Sequence, residues 1–367
     1  MDTALELSIV IPTFNESGNI VEMIRRLDQS LRGIAWEVVF VDDDSPDRSS
    51  ALVRKLAQAD RRIRCIQRIG RRGLSSACIE GMLATSAPFL AVMDGDLQHD
   101  ETRLPKMLSE LRAGSAELAL GTRYAEGGGI GSWEGSRASM SRWATRISRV
   151  VCKQTVSDPM SGFFMLRREL IERTAPDLSG MGFKILLDIL ATSSAPVAVV
   201  EVPYHFGSRL AGESKLDSNV VWEYGMLLAD KLVGKYVPVR FLSFSLVGAG
   251  GILVHMSILA LLLRGGAASF RISQGTATLV AMVFNFAVNN VLTYRDMRLR
   301  GWRWLRGAVT FILACSLGAF ANVGVASYLF ERRTEWFIAG LAGIAVGAVW
   351  NYVVTMFYTW GKRSRFA

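Results

Sequence analysis

The chain has 367 residues, half of them hydrophobic, and a mean hydropathy of +0.26, which is too apolar for a pair of ordinary soluble domains. Its net charge of +9 could suit nucleic acid, but the Lys and Arg residues gather beside aromatic and apolar segments, so a membrane surface is the expected partner and nucleic acid is not. The four cysteines, Cys65, Cys78, Cys152 and Cys315, form no C-x-x-C pair and are expected as reduced thiols. Residues 1–6 carry acids and no basic stretch, so no secretory signal is expected and the first domain is placed in the cytosol.

In chain order, residues 7–11, 37–41, 62–66, 89–93 and 117–120 are short apolar runs of the kind that form buried parallel strands. Between them, residues 18–31, 49–58, 73–85 and 101–112 have helical period. The alternation predicts a doubly wound α/β sheet whose ligand crevice lies beyond the carboxyl ends of its strands. The polar residues after each strand are therefore the ones to read for chemistry.

After the first run, Pro12-Thr13-Phe14-Asn15-Glu16 opens a helix, where Glu16 can accept from nucleoside hydroxyls or base N–H groups and helix-terminal N–H groups can face phosphates. After the second, Asp42-Asp43-Asp44-Ser45-Pro46-Asp47 repeats the arrangement; Asp47 suits a cap for the next helix, and Asp43 suits a base. After the fourth comes Asp94-Gly95-Asp96-Leu97-Gln98. Two carboxylates one residue apart on a strand-end turn can reach one hard cation, and Gln98 offers a third oxygen. Such a cation would neutralise a nucleotide diphosphate and stabilise it as a leaving group. No G-x-G-x-x-G follows the first strand, which argues against a dinucleotide oxidoreductase.

Residues 136–153 set Arg142, Arg146, Arg149 and Lys153 at helical spacing among Trp143, Ile147, Val150 and Val151, the pattern of a helix lying in the headgroup layer. A second such segment, 219–236, carries Trp222, Tyr224 and Tyr236 with Lys231 and Lys235. Beyond it, residues 241–263, 275–294, 307–330 and 336–360 are apolar and about 20 residues or longer, so four membrane spans are expected. The boundary falls near Pro238, giving a cytosolic domain at 1–237 and a membrane domain at 238–367. The loop 295–306 holds five arginines and the tail adds Lys362, Arg363 and Arg365, against Arg264 with Arg271 and Arg332 with Arg333 in the opposite loops. That bias predicts a multi-pass protein of the cell membrane with both termini cytosolic. Asn285, Asn289, Asn290, Asn322, Asn351 and His255 are costly in lipid and expected to face other helices.

Taken together, IPTFNE, VDDDSPD, GLSSA, DGDLQH, GTRY, DPMSGFF, GFK and GESK closely resemble, in order, the motifs of dolichol-phosphate mannose synthases of the family 2 glycosyltransferases, over roughly residues 7–235. Residues 241–360 look like the four-span GtrA-like membrane domain found with such enzymes. The resemblance implies a glycosyltransferase A-type sheet. It also implies inverting transfer of a hexose, foremost mannose from GDP-mannose, to a polyprenyl phosphate with Mg²⁺ or Mn²⁺. By the same resemblance Pro12, Phe14, Glu16, Val41 and Asp43 would line the nucleoside, and Asp94, Gly95 and Asp96 with Gln98 would meet the metal and diphosphate. Lys184, Arg209 and Lys215 would hold the donor phosphates and sugar, and Arg123, Arg137 and Ser141 the acceptor phosphate. Asp96, Arg123 and Arg137 are the residues expected to carry catalysis. Phe14 stands where Tyr is common, Arg72 where Lys is usual and Asp100 where Pro is usual, and none of these removes a metal ligand. Q-x-x-R-W, the mark of processive polysaccharide synthases, is absent. The alternatives are another sugar, such as glucose from a UDP-sugar, and a non-catalytic adaptor for lipid-carrier translocation.

Overall fold

A computed structural model describes residues 4–124, 155–180, 182, 184–207, 218–234, 237–265, 269–333 and 335–360. It divides into two compact units, Met1–Leu232 and Val233–Ala367. The region around 136–153 lies outside the described residues.

The first unit is built on β1 (Leu7–Thr13), α1 (Ile20–Ser30), β2 (Trp36–Asp42), α2 (Ser49–Ala59), β3 (Ile63–Gln67), α3 (Leu74–Leu83), β4 (Phe89–Val92), α4 (Leu104–Arg112) and β5 (Leu118–Thr122). β6 (Phe164–Arg167), α5 (Arg168–Thr174), α6 (Ile185–Thr192), β7 (Val199–Pro203) and α7 (Ser218–Val233) follow. The seven strands lie in the order β3-β2-β1-β4-β6-β5-β7. Period-two alternation divides each central strand between two cores. Ile9, Ile11, Val38 and Phe40 face α1, α2 and α4 through Leu27, Val53 and Leu108, while Val10, Val39, Val41 and Val92 face α3, α5 and α6 through Met82, Ile171 and Ile189. Gly81 lets α3 lie directly on Val10 and Val41, where a Cβ would collide.

The expected parallel sheet is corrected to a mixed one. β4 and β5 are not neighbours; β6 runs antiparallel between them, pairing Leu90 with Leu166 and Leu118 with Leu166 on its two sides. The crossover through α4 carries β5 one place too far, and the segment that returns fills the gap. β1 to β4 remain parallel, with Thr13 opposite Asp42, so their carboxyl ends and the turns after them gather on one edge. Among the described residues of this unit, the non-glycine residues with left-handed φ sit in those turns: Asn15, Asp44, Arg48 and Leu97. Such residues cost on the order of 1 kcal/mol each and mark where the backbone is bent for a purpose.

Lys231 is a second correction. Expected on a lipid-facing basic surface, it is 10% exposed and paired with Asp188 at 2.5 Å, so it fastens α7 to α6.

The second unit holds α8 (Val239–Arg264), α9 (Phe270–Val291), α10 (Trp302–Glu331) and α11 (Trp336–Tyr358). Among the described residues, two helices, Val239–Arg264 and Trp302–Leu329, are long and apolar enough to cross a membrane; the expected count of four is met by two on that measure. Trp302 to Arg306, expected in a loop, instead begin α10, because the left-handed Gly301 ends the loop and no proline follows it in the helix. The unit is a repeated pair of hairpins. Ser243, Phe244 and Gly251 of α8 recur as Thr310, Phe311 and Gly318 of α10; Asn285, Phe286, Thr293 and Tyr294 recur as Asn351, Tyr352, Thr359 and Trp360. Contacts recur as well. Ser243 bonds Thr293 as Thr310 bonds Thr359, Gly251 lies under Asn285 as Gly318 lies under Asn351, and Phe286 meets Phe311 as Tyr352 meets Phe244. Tyr294 stacks on its own counterpart Trp360 at 4.0 Å, so a pseudo-twofold axis passes between these two rings. The expected inward-facing asparagines thus include Asn289 and Asn290, both buried, with Asn290 holding Leu299 through both backbone groups.

Candidate active site

The turn after β1 and the turn after β2 are laced together. Ser45, Ser49 and Asp47 accept from the backbone N–H groups of Asn15, Glu16 and Ser17 at 3.0, 3.2 and 2.9 Å. Asp47 also accepts from the Ser49 N–H, the capping role expected of it. Pro12 is opposite Val41 in the ladder, Phe14 lies under the Arg72 guanidinium at 4.3 Å, and Glu16 accepts from Asn19. Val41 is fully buried, so neither its side chain nor its backbone is open to a ligand, against the nucleoside-lining role expected of it.

Asp43 is held more firmly than the sequence indicates. Its Oδ1 accepts from Arg68 and its Oδ2 from the Gly73 N–H, each at 2.7 Å. Arg68 is 2% exposed and also donates to the Gly73 carbonyl and to Ser76, tying together the ends of β2, β3 and α3. Burial pushes the Asp43 carboxyl up from its ordinary range, against the Gly73 and Arg68 contacts that pull it down. Each oxygen keeps a further lone pair beyond these two contacts.

Asp94 and Asp96 leave the end of β4 in the neighbouring turn. Gly95 brings this turn onto the first, since a Cβ there would touch Ile11 and Glu16 at 3.4 and 3.6 Å. Asp96 is buried and accepts from the Gln98 N–H; Gln98 gives its side-chain amide to the Gly207 carbonyl at 3.0 Å. Asp94 is partly buried, with 37% of its side chain open. Burial raises its carboxyl, but the His99 hydrogen bond and the charges of Lys184 and Arg123 outweigh it, and the carboxyl is held below its ordinary range. A Cβ on Gly162 would fall 3.0 Å from Asp94 Oδ2 and 3.3 Å from Oδ1, so the absent side chain leaves a cradle against the carboxylate. Among the described residues no cluster of three or more His, Cys, Asp or Glu side chains is arranged around a common ion position. The two hard oxygen donors and the Gly162 cradle nonetheless fit a divalent cation completed by water and phosphate oxygens.

Arg123, at the end of β5, meets Asp158 through two hydrogen bonds, Nε to Oδ2 at 2.7 Å and Nη2 to Oδ1 at 2.9 Å. Asp158 is fully buried. Burial alone would lower the arginine, but the paired carboxylate overrides it and the guanidinium stays charged. This pairing uses two of five N–H donors. Lys184 donates to the Met160 carbonyl at 3.2 Å; burial and the charge of Arg123 push its ammonium down, with Asp94 and Asp158 opposing. The structure thus brings Asp94, Arg123 and Lys184 into one electrostatic group. Arg137, Ser141, Arg209 and Lys215 lie outside the described residues. Arg68, His99 and Tyr204 are the site residues to which the sequence reading assigned no role.

The glycosyl transferase family 2 model matches residues 8–174, and the GtrA/DPMS transmembrane domain model matches residues 243–360. A dolichol-phosphate mannosyltransferase of Pyrococcus furiosus is 36% identical over 358 residues, 97% of this chain and 99% of its own. One from Saccharomyces cerevisiae is 38% identical over 242 residues, 64% of this chain and 89% of its own. Among solved structures, glucosyl-3-phosphoglycerate synthase from Mycobacterium tuberculosis, in complex with Mn²⁺, UDP-glucose and phosphoglyceric acid, has a TM-score of 0.46 at 20% identity, covering 63% of this chain and 79% of that one.

Proposed function

This chain belongs to the dolichol-phosphate mannosyltransferase-like family 2 glycosyltransferases that carry a GtrA/DPMS transmembrane domain, and from that membership we propose that it transfers mannose from GDP-mannose to a polyprenyl phosphate at the cytosolic membrane face, with inversion. The observation that carries this reading is the end-to-end match to the Pyrococcus protein, which spans the sheet and the apolar helices alike. Asp94 and Asp96, with Gln98 beside them, would hold Mg²⁺ or Mn²⁺, which when bound neutralises the donor diphosphate and stabilises it as a leaving group.

The chain's own side chains have the remaining task of alignment. Pro12, Phe14, Glu16 and Asp43 surround the nucleoside in this reading, Lys184, Arg209 and Lys215 the donor phosphates, and Arg123, Arg137 and Ser141 the acceptor phosphate. A phosphate monoester has a second pKa of about 6, so near pH 7 it is mostly dianionic and already nucleophilic. An acceptor oxygen bonds to the anomeric carbon as the bond to the nucleoside diphosphate breaks; the leaving group takes the electron pair and no proton need move. The bidentate engagement of Asp158 with Arg123 supports this reading, because it gives that acid a task other than general base. Four spans with both termini cytosolic, and interfacial segments near 136–153 and 219–236, complete the proposal; the repeat of two hairpins supports an even number of crossings.

The test is a donor screen on the purified full chain with a short polyprenyl phosphate. Labelled GDP-mannose is expected to give an alkali-stable, acid-labile lipid product. Transfer from UDP-glucose in its place overturns the donor assignment, and the absence of any polyprenyl-linked product with every donor overturns the acceptor.

A further inference from the structure

His99 closes the turn that begins at Asp94, and its ring is almost sealed, at 3% exposed. Nε2 lies 3.1 Å from Asp94 Oδ2, and Nδ1 lies 2.9 Å from the Tyr204 hydroxyl at the end of β7. An ionised carboxylate can only accept, so Nε2 carries the hydrogen in the first contact, whichever way the phenol hydrogen points in the second. Phe163 and Phe206 pack on the ring at centroid distances of 5.2 and 5.6 Å and leave it one plane to occupy. The left-handed backbone at Leu97, whose side chain is anchored in the core, bends the turn so that residue 99 returns to residue 94.

We propose that His99, braced by Tyr204, is a positioning residue that presets the Asp94 carboxylate for the divalent cation. This rests on the reading that Asp94 and Asp96 hold that cation. One carboxylate oxygen is committed to a rigid donor, so the ion meets Asp94 in one fixed orientation and does not have to select it from a swinging side chain. Groups that orient a metal's immediate ligands typically alter metal affinity by about 10- to 100-fold when removed. Filling the aromatic pocket would be a different role, and the two roles make opposite demands on a replacement: the pocket needs a ring, whereas Asp94 needs an N–H.

The experiment compares His99→Phe, which keeps a ring and loses the donor, with His99→Gln, which loses the ring and keeps an amide N–H, in the full detergent-purified chain. Mn²⁺ binding is read by electron paramagnetic resonance in the presence of GDP, alongside GDP binding without metal and thermal unfolding. His99→Phe is expected to weaken Mn²⁺ binding about 10- to 100-fold with metal-free GDP binding unchanged, and His99→Gln to retain more of the Mn²⁺ affinity despite the lower unfolding temperature. Tyr204→Phe, which removes only the brace, is expected to fall between wild type and His99→Phe, and serves if either His99 variant fails to fold. Wild-type Mn²⁺ affinity in both His99→Phe and Tyr204→Phe overturns the positioning role alone, as does a loss that follows unfolding temperature and is worse in His99→Gln. If the wild-type chain itself binds no Mn²⁺ with GDP, the cation reading falls and takes this inference with it.

Discussion

In the first unit acids and bases are buried as ion pairs: Asp43 with Arg68, Asp158 with Arg123, and Asp188 with Lys231. In the second unit the buried polar side chains that the described residues show are Ser, Thr and Asn, and some of these bond one another, as Ser243 does Thr293 and Thr293 does Asn289, while others bond backbone carbonyls and the Ser273 hydroxyl has no partner among the described residues. Both regions must satisfy polar groups removed from water, but the penalty differs in kind. A buried ion costs several kcal/mol even after relaxation and is tolerated where a partner and backbone dipoles are preset, whereas a hydroxyl or amide within apolar helices is satisfied by a single neutral neighbour. The first unit places two of these pairs at the carboxyl edge of its sheet and uses the third, Asp188 with Lys231, to fasten α7 to α6. The second uses neutral bonds to hold helices together.

If the charges of the first unit serve chemistry, removing one should be felt in rate before it is felt in folding. Asp96→Asn is expected to lower turnover at saturating Mn²⁺ or Mg²⁺ by about a hundredfold or more, the equivalent of losing a few kcal/mol of leaving-group stabilisation. Initial rates on a short acceptor measure this, and near wild-type turnover, or full activity in excess chelator, would remove the metal from the account. The ion pairs themselves give the next largest effect. Asp158→Ala strands a buried guanidinium and should cost about 3–5 kcal/mol of stability, against about 1 kcal/mol for Ser243→Ala in the second unit. Unfolding in detergent compares the two, and equal losses would break the contrast between the units. Asp158→Asn is expected to slow transfer while leaving the acidic limb of kcat/KM in place; disappearance of that limb would make Asp158 a base.

Smaller changes test the repeat. A side chain added at Gly251 or Gly318 must displace Asn285 or Asn351, so Gly251→Val and Gly318→Val should each cost about 1–3 kcal/mol. Smaller again, Thr293→Val and Thr359→Val should each cost about 0.5–1.5 kcal/mol, read as paired shifts in unfolding temperature. If only one member of either pair responds, the two hairpins are not equivalent in their packing.

Residues 283–288, VFNFAV, and 349–354, VWNYVV, carry the repeat openly, but it emerges only when the chain is aligned with itself, and hydropathy alone shows two similar apolar stretches. The Asp94–Asp96 turn was legible because its chemistry is local: two acids, one turn, one strand end. His99 was not, because its meaning depends on Tyr204, 105 residues away. Lys231 reads from the sequence as lipid-facing because helical period distinguishes a buried stripe from an exposed one but does not reveal an acid on another helix.

The sequence by itself determined the alternation of strand and helix, the polar turns that gather on the carboxyl edge, the acidic turn, and the passage from a charged unit to an apolar one. All of these follow from interactions within a few residues, where side-chain period and turn chemistry dominate. Only the tertiary structure decided that β6 would slip antiparallel between β4 and β5, that Arg68 would claim Asp43, that Arg123 would claim Asp158, and that an imidazole would hold Asp94. Those outcomes depend on which distant segments become neighbours, and a buried charge or an open strand edge accepts whichever partner the packing brings within reach.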